Sequence, residues 1–299
     1  MINGVINIYK EPGYTSFDVV AKLRGILKQK KIGHTGTLDP MASGVLLVCL
    51  GSATKLVDIM TLDKKQYEAE LLLGVATDTE DVTGRVLRET EVSVSEEAVI
   101  DTVKSFIGRS KQIPPMYSAI KKDGKKLYEY ARQGIEIERE ARDIEIYDIS
   151  DISVNLPVVH FSVYCSKGTY IRSLCRDIGD RLGCGGSLKS LKRSEIRGFL
   201  AEDALSLDRV SQLVSENKLE SYIIPVDEIL NEYKRLDLKP EFKKSIQNGN
   251  KLVARLFMTE NSAALDGELF RVYHEDKFYA LYQYVSKESV YKPYKMFLD

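Results

Sequence analysis

Residues 45–50, VLLVCL, form the longest wholly apolar run in this 299-residue chain, and the run is only strand-length. A bilayer requires about 20 consecutive apolar residues, so the run belongs inside a folded core. It emerges from residues 33–44, GHTGTLDPMASG, where recurring glycines permit turns and close backbone approach. The chain is therefore built around a sheet, and the remaining sequence must supply its other strands and its cover.

Residues 6–9 read as a short strand ending at the turn Glu11-Pro12-Gly13. Ser16 is placed to cap a helix running to about Lys28, with Val19, Val20, Leu23, Ile26 and Leu27 on one stripe. Residues 67–73 begin with alternation and then become wholly apolar, which predicts a strand buried on both faces. Ser95 opens a helix with Val99, Val103 and Phe106 inward and Gly108 at its end. Strands over 143–149 and 158–165 precede a helix over 170–182 that stops at Gly183. The elements interleave without a strict βαβ rhythm, which predicts an α+β fold with a mixed, mainly antiparallel sheet flanked by helices.

After Pro225 the texture changes. Short alternating runs at 270–273 and 278–284, separated by Gly249, Asn261 and Gly267, predict a small all-β domain with one helical turn over 241–246. The expected division is 1–234 and 235–299. An apolar content of 43% is enough for a large domain and a small one.

A formal net charge of −1 lacks the basic excess usual for a nucleic-acid binder. The local distribution points elsewhere. Residues 21–31 hold five basic side chains and no acidic one, residues 104–126 seven and one, and residues 167–197 eight and three. Residues 112–142 interleave Lys121, Lys122, Lys125 and Lys126 with Tyr117, Tyr128 and Tyr130, a combination suited to neutralising phosphates and stacking on bases. The plain alternative is an amphipathic excursion from the sheet. The four cysteines form no CxxC pair and are expected to be reduced, buried thiols; with three histidines in the chain, no metal site is expected. The start, MINGVINIYKEPG, does not read as a signal peptide, so a cytoplasmic protein is expected.

The chemistry-bearing stretch is 33–55. His34 and Asp39 share one loop, and Pro40 holds Asp39 away from helical geometry. A phosphate loop is excluded by spacing, since GxxxxGK[ST] is absent. What remains is either a turn-forming Asp-Pro or a presented carboxylate able to act as nucleophile or base.

GHTGTLDPMASG followed by an apolar strand and GSATK resembles the signature of the TruB family of tRNA pseudouridine synthases. KKQYEAELLLGVATDTED, QIPPMYSAIKKDGKKLYEYARQG, CSKGTYIRSLCRDIGDRLGCGG and SLKSLKRSEIRGF resemble further family blocks, in order, over most of residues 1–230. The resemblance implies isomerisation of uridine 55 in the tRNA T-loop, with the base flipped out of its stack and no cofactor or metal. It implies Asp39 as the catalytic carboxylate. Arg172 would pair with it through a two-pronged fork and lower its pKa, with Asp81 on the other side of the arginine. It further implies that His34 fills the space left by the flipped base, that Tyr67 stacks on the uracil near carbon 5, and that Tyr170 and Leu191 contact substrate. Lys10 matches a basic residue near the site and is not counted as catalytic. Residues 112–142 match a thumb-like insertion gripping the tRNA T-arm. The C-terminal part resembles a PUA-type RNA-binding domain only weakly and is acidic, with Glu260, Asp266, Glu268, Glu275 and Asp276. No membrane partner is expected, and the chain is expected to act as a monomer. Two other readings compete. A tRNA-ribosyl transglycosylase should show a (β/α)₈ pattern, which is missing; a non-catalytic RNA-binding or tRNA chaperone protein would not need Asp39, Arg172, Asp81 and Tyr67 together.

Overall fold

The computed structural model describes residues 1–259 and 264–298; Glu260 and Asn261 lie outside them. At its centre is a nine-stranded sheet. Its spatial order is Gly4–Lys10, Ser43–Leu50, Gly186–Ile196, Lys65–Leu73, Val158–Cys165, Arg142–Asn155 and Gly108–Gln112, with Ile32–His34 and Phe199–Leu200 paired alongside. These pairings are antiparallel except where Ser43–Leu50 meets Gly186–Ile196 in parallel, through Lys192 opposite Ser43 and Arg193 opposite Gly44. The fold class is as expected, α+β with a mixed sheet.

The run at 45–50 is wholly apolar because both of its faces are covered. Leu46, Val48 and Leu50 pack with Ile6, Ile8 and the helices Ser16–Leu27 and Leu207–Ser215, through Val19, Val20, Leu23, Val210 and Leu213. Val45, Leu47 and Cys49 face the opposite way, onto Val226, Ile229, Leu281 and Phe297. For Lys65–Leu73 the expectation of two buried faces is corrected, since burial alternates along the whole strand. Tyr67, Ala69, Leu71 and Leu73 point into a core closed by Val99 and Val103 of Glu96–Lys104 and Leu174 and Ile178 of Ile171–Arg181. Helices cover that face only, so Leu72 stays half-buried.

The first helix is capped one residue earlier than expected. Thr15 accepts from the Asp18 backbone N–H at 3.1 Å while Asp18 accepts from the Thr15 N–H at 2.8 Å, a reciprocal box that a serine at position 16 cannot complete. Ser16 is instead free to bond the backbone of Leu38. The strand Gly186–Ile196 was not foreseen, because register shifts at Leu188/Ser190 and Arg193/Glu195 break its alternation. All four cysteines are free and buried.

Residues 112–142 leave and re-enter the sheet at one point, since Gln112 and Arg142 are register partners. Within this excursion Lys121–Lys122 pairs with Lys125–Lys126, and the helix Leu127–Ala131 follows. A second, four-stranded sheet contains Lys234–Asp237, Leu269–His274, Lys277–Val285 and Val290–Met296. It encloses its own core of Leu236, Ile246, Phe270, Val272, Tyr282 and Tyr291. It also leans on the first sheet through Leu281 and Phe297, and Lys295 Nζ reaches Asp58 Oδ2 at 2.6 Å. Among the described residues no helix is long and apolar enough to cross a membrane.

Candidate active site

The loop carrying Asp39 is held from several sides. Ser16 Oγ accepts from the Leu38 N–H at 2.9 Å, and Gly13 N–H donates to the Pro40 carbonyl at 2.8 Å. Lys10 Nζ donates to the carbonyls of Tyr14, Glu11 and Pro40 at 2.6, 3.0 and 3.3 Å. Lys10 is fully buried, and burial pushes its ammonium down to about 8 although the Asp39 charge opposes the shift. Ala42 N–H closes the turn onto the Asp39 carbonyl at 3.0 Å. The Asp39 side chain keeps 34% of its surface exposed, enough to meet a ligand.

Arg172 enters from the first turn of Ile171–Arg181 and is almost wholly buried. Its Nε lies 2.8 Å from Asp39 Oδ2, an ion pair by distance, although the N–H does not aim along that oxygen. Nη1 donates to the Thr79 carbonyl at 3.0 Å and stands 3.7 Å from Asp81 Oδ2. Nη2 donates to the Tyr117 carbonyl at 2.8 Å. The expected two-pronged fork onto Asp39 is therefore corrected. The arginine's other nitrogens are spent on backbone carbonyls of two further segments, so one nitrogen meets the acid. Asp81 approaches from the far side, but its Oδ1 mainly closes its own turn, accepting from Thr79 Oγ1 at 2.8 Å and from the Thr83 N–H at 3.0 Å.

The expected depression of the Asp39 pKa is corrected as well. Burial of the carboxylate pushes it above the ordinary range; the Arg172 guanidinium opposes this, and the Asp81 charge adds to the rise. Desolvation is the largest of these effects, ahead of the Arg172 charge.

Behind Arg172, Glu80 accepts from Ser173 Oγ at 2.6 Å and from the Arg176 guanidinium. Burial holds the Glu80 carboxyl above its ordinary value, against the pull of Arg176. This cluster clamps the 78–84 turn to the helix that carries Arg172.

Tyr67 is buried, and burial pushes its phenol up while Arg193 pulls it down. Leu191 lies on the neighbouring strand opposite Ala69 and shares a core with Leu38, Ala42 and Tyr67. Tyr170 caps the Arg172 helix, and Gln112 brackets it, accepting from the Tyr170 N–H at 2.8 Å and donating to its carbonyl at 3.0 Å. Its half-buried phenol is also pushed up by burial. His34 ends the short strand Ile32–His34; burial, reinforced by the Arg193 charge, lowers its pKa, and Nδ1 is buried without a hydrogen bond. The structure thus brings Asp39, Arg172 and Asp81 into one cluster, and the Asp39 charge also reaches Tyr67 and Tyr170.

Two residues of this region were not singled out from sequence. Arg193, 1% exposed, is two positions past Leu191 and therefore on the same strand face, the signal that could have revealed it. Glu80 had no such signal, since its left-handed φ of 64° places it inward only once the turn exists.

This mixed sheet, with the Asp39 loop and the Arg172 helix packed about it, is the fold of a pseudouridine synthase. A chain from an H/ACA RNP bound to a substrate RNA containing 2′-deoxyuridine matches with TM-score 0.74 and 25% identity, over 99% of this chain and 85% of that one. A chain from a Cbf5-Nop10-Gar1 complex matches with TM-score 0.74 and 28% identity over the same shares. The model of the TruB family pseudouridylate synthase N-terminal domain matches residues 24–171, and that of the tRNA pseudouridylate synthase B C-terminal domain matches residues 172–231. A tRNA pseudouridine synthase B of Clostridium tetani is 47% identical over 94% of this chain and 96% of its own. One from Lachnoclostridium phytofermentans is 50% identical over 99% and 100%. The chain belongs to the TruB family of pseudouridylate synthases.

Proposed function

We propose that this protein converts uridine 55 in the T-loop of tRNA to pseudouridine, with Asp39 as the catalytic carboxylate. The carrying observation is the half-exposed Asp39 carboxylate held 2.8 Å from the buried Arg172 guanidinium, on a loop beside Tyr67 and Leu191. Relatives named tRNA pseudouridine synthase B, aligned over nearly the whole chain, support tRNA as substrate. Asp39 acts ionised, and Arg172 holds its charge in place and balances it. Asp81 braces the arginine from behind. Tyr67 stacks on the extruded uracil near carbon 5, with Leu191 and Tyr170 lining the pocket and His34 filling the space the base vacates. Extrusion costs a few kcal/mol, least where the target is already weakly stacked. Residues 112–142 grip the T-arm with their lysines and tyrosines, and residues 235–299 act as a PUA-type RNA-binding domain. The reaction uses no cofactor, and the enzyme works as a cytoplasmic monomer.

The test is release of tritium from carbon 5 of labelled uridine in a tRNA transcript. Asp39→Asn is expected to release none while binding tRNA nearly as well as the parent. Appreciable turnover by that variant would overturn the role of Asp39. Turnover by the parent on a transcript lacking uridine 55 would overturn the assigned position.

A further inference from the structure

Among the described residues Arg193 is the largest fully buried side chain, and its hydrogen bonds go to neutral groups. Nε donates to the Val45 carbonyl at 2.7 Å and Nη2 to the Gly36 carbonyl at 3.2 Å. Carbonyl oxygens satisfy those N–H groups without neutralising the charge. Nη1 is turned toward Gly36, where an added Cβ would stand 3.5 Å from it. The cation therefore bridges the end of the Asp39 loop to the strand that follows it.

Its charge reaches His34, Lys10 and Lys65, and across the strand it faces Tyr67. Arg193 and Tyr67 are direct register partners on adjacent antiparallel strands, which puts their side chains on one face about 5 Å apart at Cβ. The guanidinium charge opposes the rise that burial imposes on the phenol. Gly44 holds this arrangement from the third strand: its φ is +102°, and a Cβ there would come within 2.2 Å of the Arg193 carbonyl oxygen.

We propose that Arg193 is a positioning residue that prepares Tyr67 to take the proton from carbon 5 of the rearranged uracil. This rests on the reading of Asp39 and Tyr67 given above. Once carbon 5 is bonded to the ribose, its C–H bond must break. The electron pair of that bond becomes the C5=C6 π bond, and the pair it displaces from C6 collects on N1, which takes up a proton from water. The departing proton passes to the Tyr67 oxygen, which must carry a lone pair and negative charge to receive it. A buried phenol beside an acid is poorly disposed to ionise; a buried guanidinium across the strand supplies the missing counter-charge and aims the oxygen. Arg193 faces Tyr67 across the paired strands, so in this proposal it acts through the tyrosine.

The experiment compares single-turnover rates on tRNA transcripts carrying uridine or 5-deuterouridine, with the full-length protein. Arg193→Gln should lower the rate roughly 100-fold, the lower end of what a general acid–base group contributes, and raise the C5 isotope effect well above the parent's. Arg193→Lys, which keeps the charge, should recover part of the rate and bring the isotope effect back toward the parent's. In a Tyr67→Phe background, Arg193→Lys should cost little further rate, because the residue it served is gone. A slower Arg193→Gln enzyme with an unchanged isotope effect would assign Arg193 to the scaffold and overturn the proposal. So would full additivity of Arg193→Lys with Tyr67→Phe, a comparison that decides the matter even if Arg193→Gln does not fold. Asp39→Asn separates the two readings: turnover without Asp39 defeats the proposed function, whereas the isotope effect tests Arg193 alone.

Discussion

Arg172 serves four groups at once, Asp39, Asp81 and the carbonyls of Thr79 and Tyr117, and only a planar guanidinium can do so. Lysine could meet the Asp39 charge but would leave buried carbonyls without donors. Arg172→Lys is expected to slow single-turnover conversion by about 10²-fold to 10³-fold, the scale of removing one preorganised charge partner from a reacting centre. A rate near the parent's would show that the shared arrangement is dispensable. The raised pKa of Asp39 also sets a direction in pH. The proposed role needs Asp39 ionised, so activity should fall on acidification through a value above the ordinary ~3.9 of an aspartate. Stability runs the other way. A group whose native pKa exceeds its unfolded one favours folding while protonated and loses that contribution as pH rises through the native pKa. At neutral pH Asp39→Asn should therefore melt no lower than the parent while being inactive, which a thermal melt without tRNA would check. His34, shifted down by burial, should change its charge below the ordinary imidazole range.

Among elements, those legible in the sequence were the ones whose pattern obeys a single rule. The helix over 96–104 showed its serine cap and apolar stripe, and the closing of 170–182 at Gly183 followed from glycine's tolerance of a φ of 79°. What escaped was set by tertiary contacts. The strand Gly186–Ile196 carries two register shifts, so its inward residues lose period two, although it lies at the middle of the sheet and holds Leu191 and Arg193. The site was legible as a set of residue types and not as geometry. No spacing rule says that Arg172 shares its nitrogens with Thr79 and Tyr117, segments distant in sequence, and so the fork and the pKa direction were misread. Gln112 shows how elements are joined. It closes the mouth of the 112–142 excursion and both donates to and accepts from Tyr170, with 4% exposure. Gln112→Ala should cost about 1–3 kcal/mol by stranding buried backbone groups, read by urea unfolding. It should also loosen the first turn of the Arg172 helix, read by hydrogen exchange at Tyr170 and Ile171. Unchanged protection would mean the bracket is idle.

At the scale of the molecule, the C-terminal sheet is part of the core beneath the strand that follows the Asp39 loop. Leu281 and Phe297 cover the face of the central strand formed by Val45, Leu47 and Cys49. Cutting the chain after residue 234 would uncover the part of that face under Leu281 and Phe297, leaving Val226 and Ile229 in place. Such a truncation is therefore expected to lower the melting temperature and to aggregate. A truncated protein that stays monomeric by light scattering, with an unchanged melt, would refute this.

The strand Ser43–Leu50 has no idle side from Val45 onward, and Asp39 hangs a few residues ahead of it. A fulcrum gripped above and below cannot swing. Whatever rearrangement brings reactant and acid together does not come from this strand. The enzyme's accuracy then comes from offering a fixed anvil against which only a nucleoside willing to leave its neighbours can be struck.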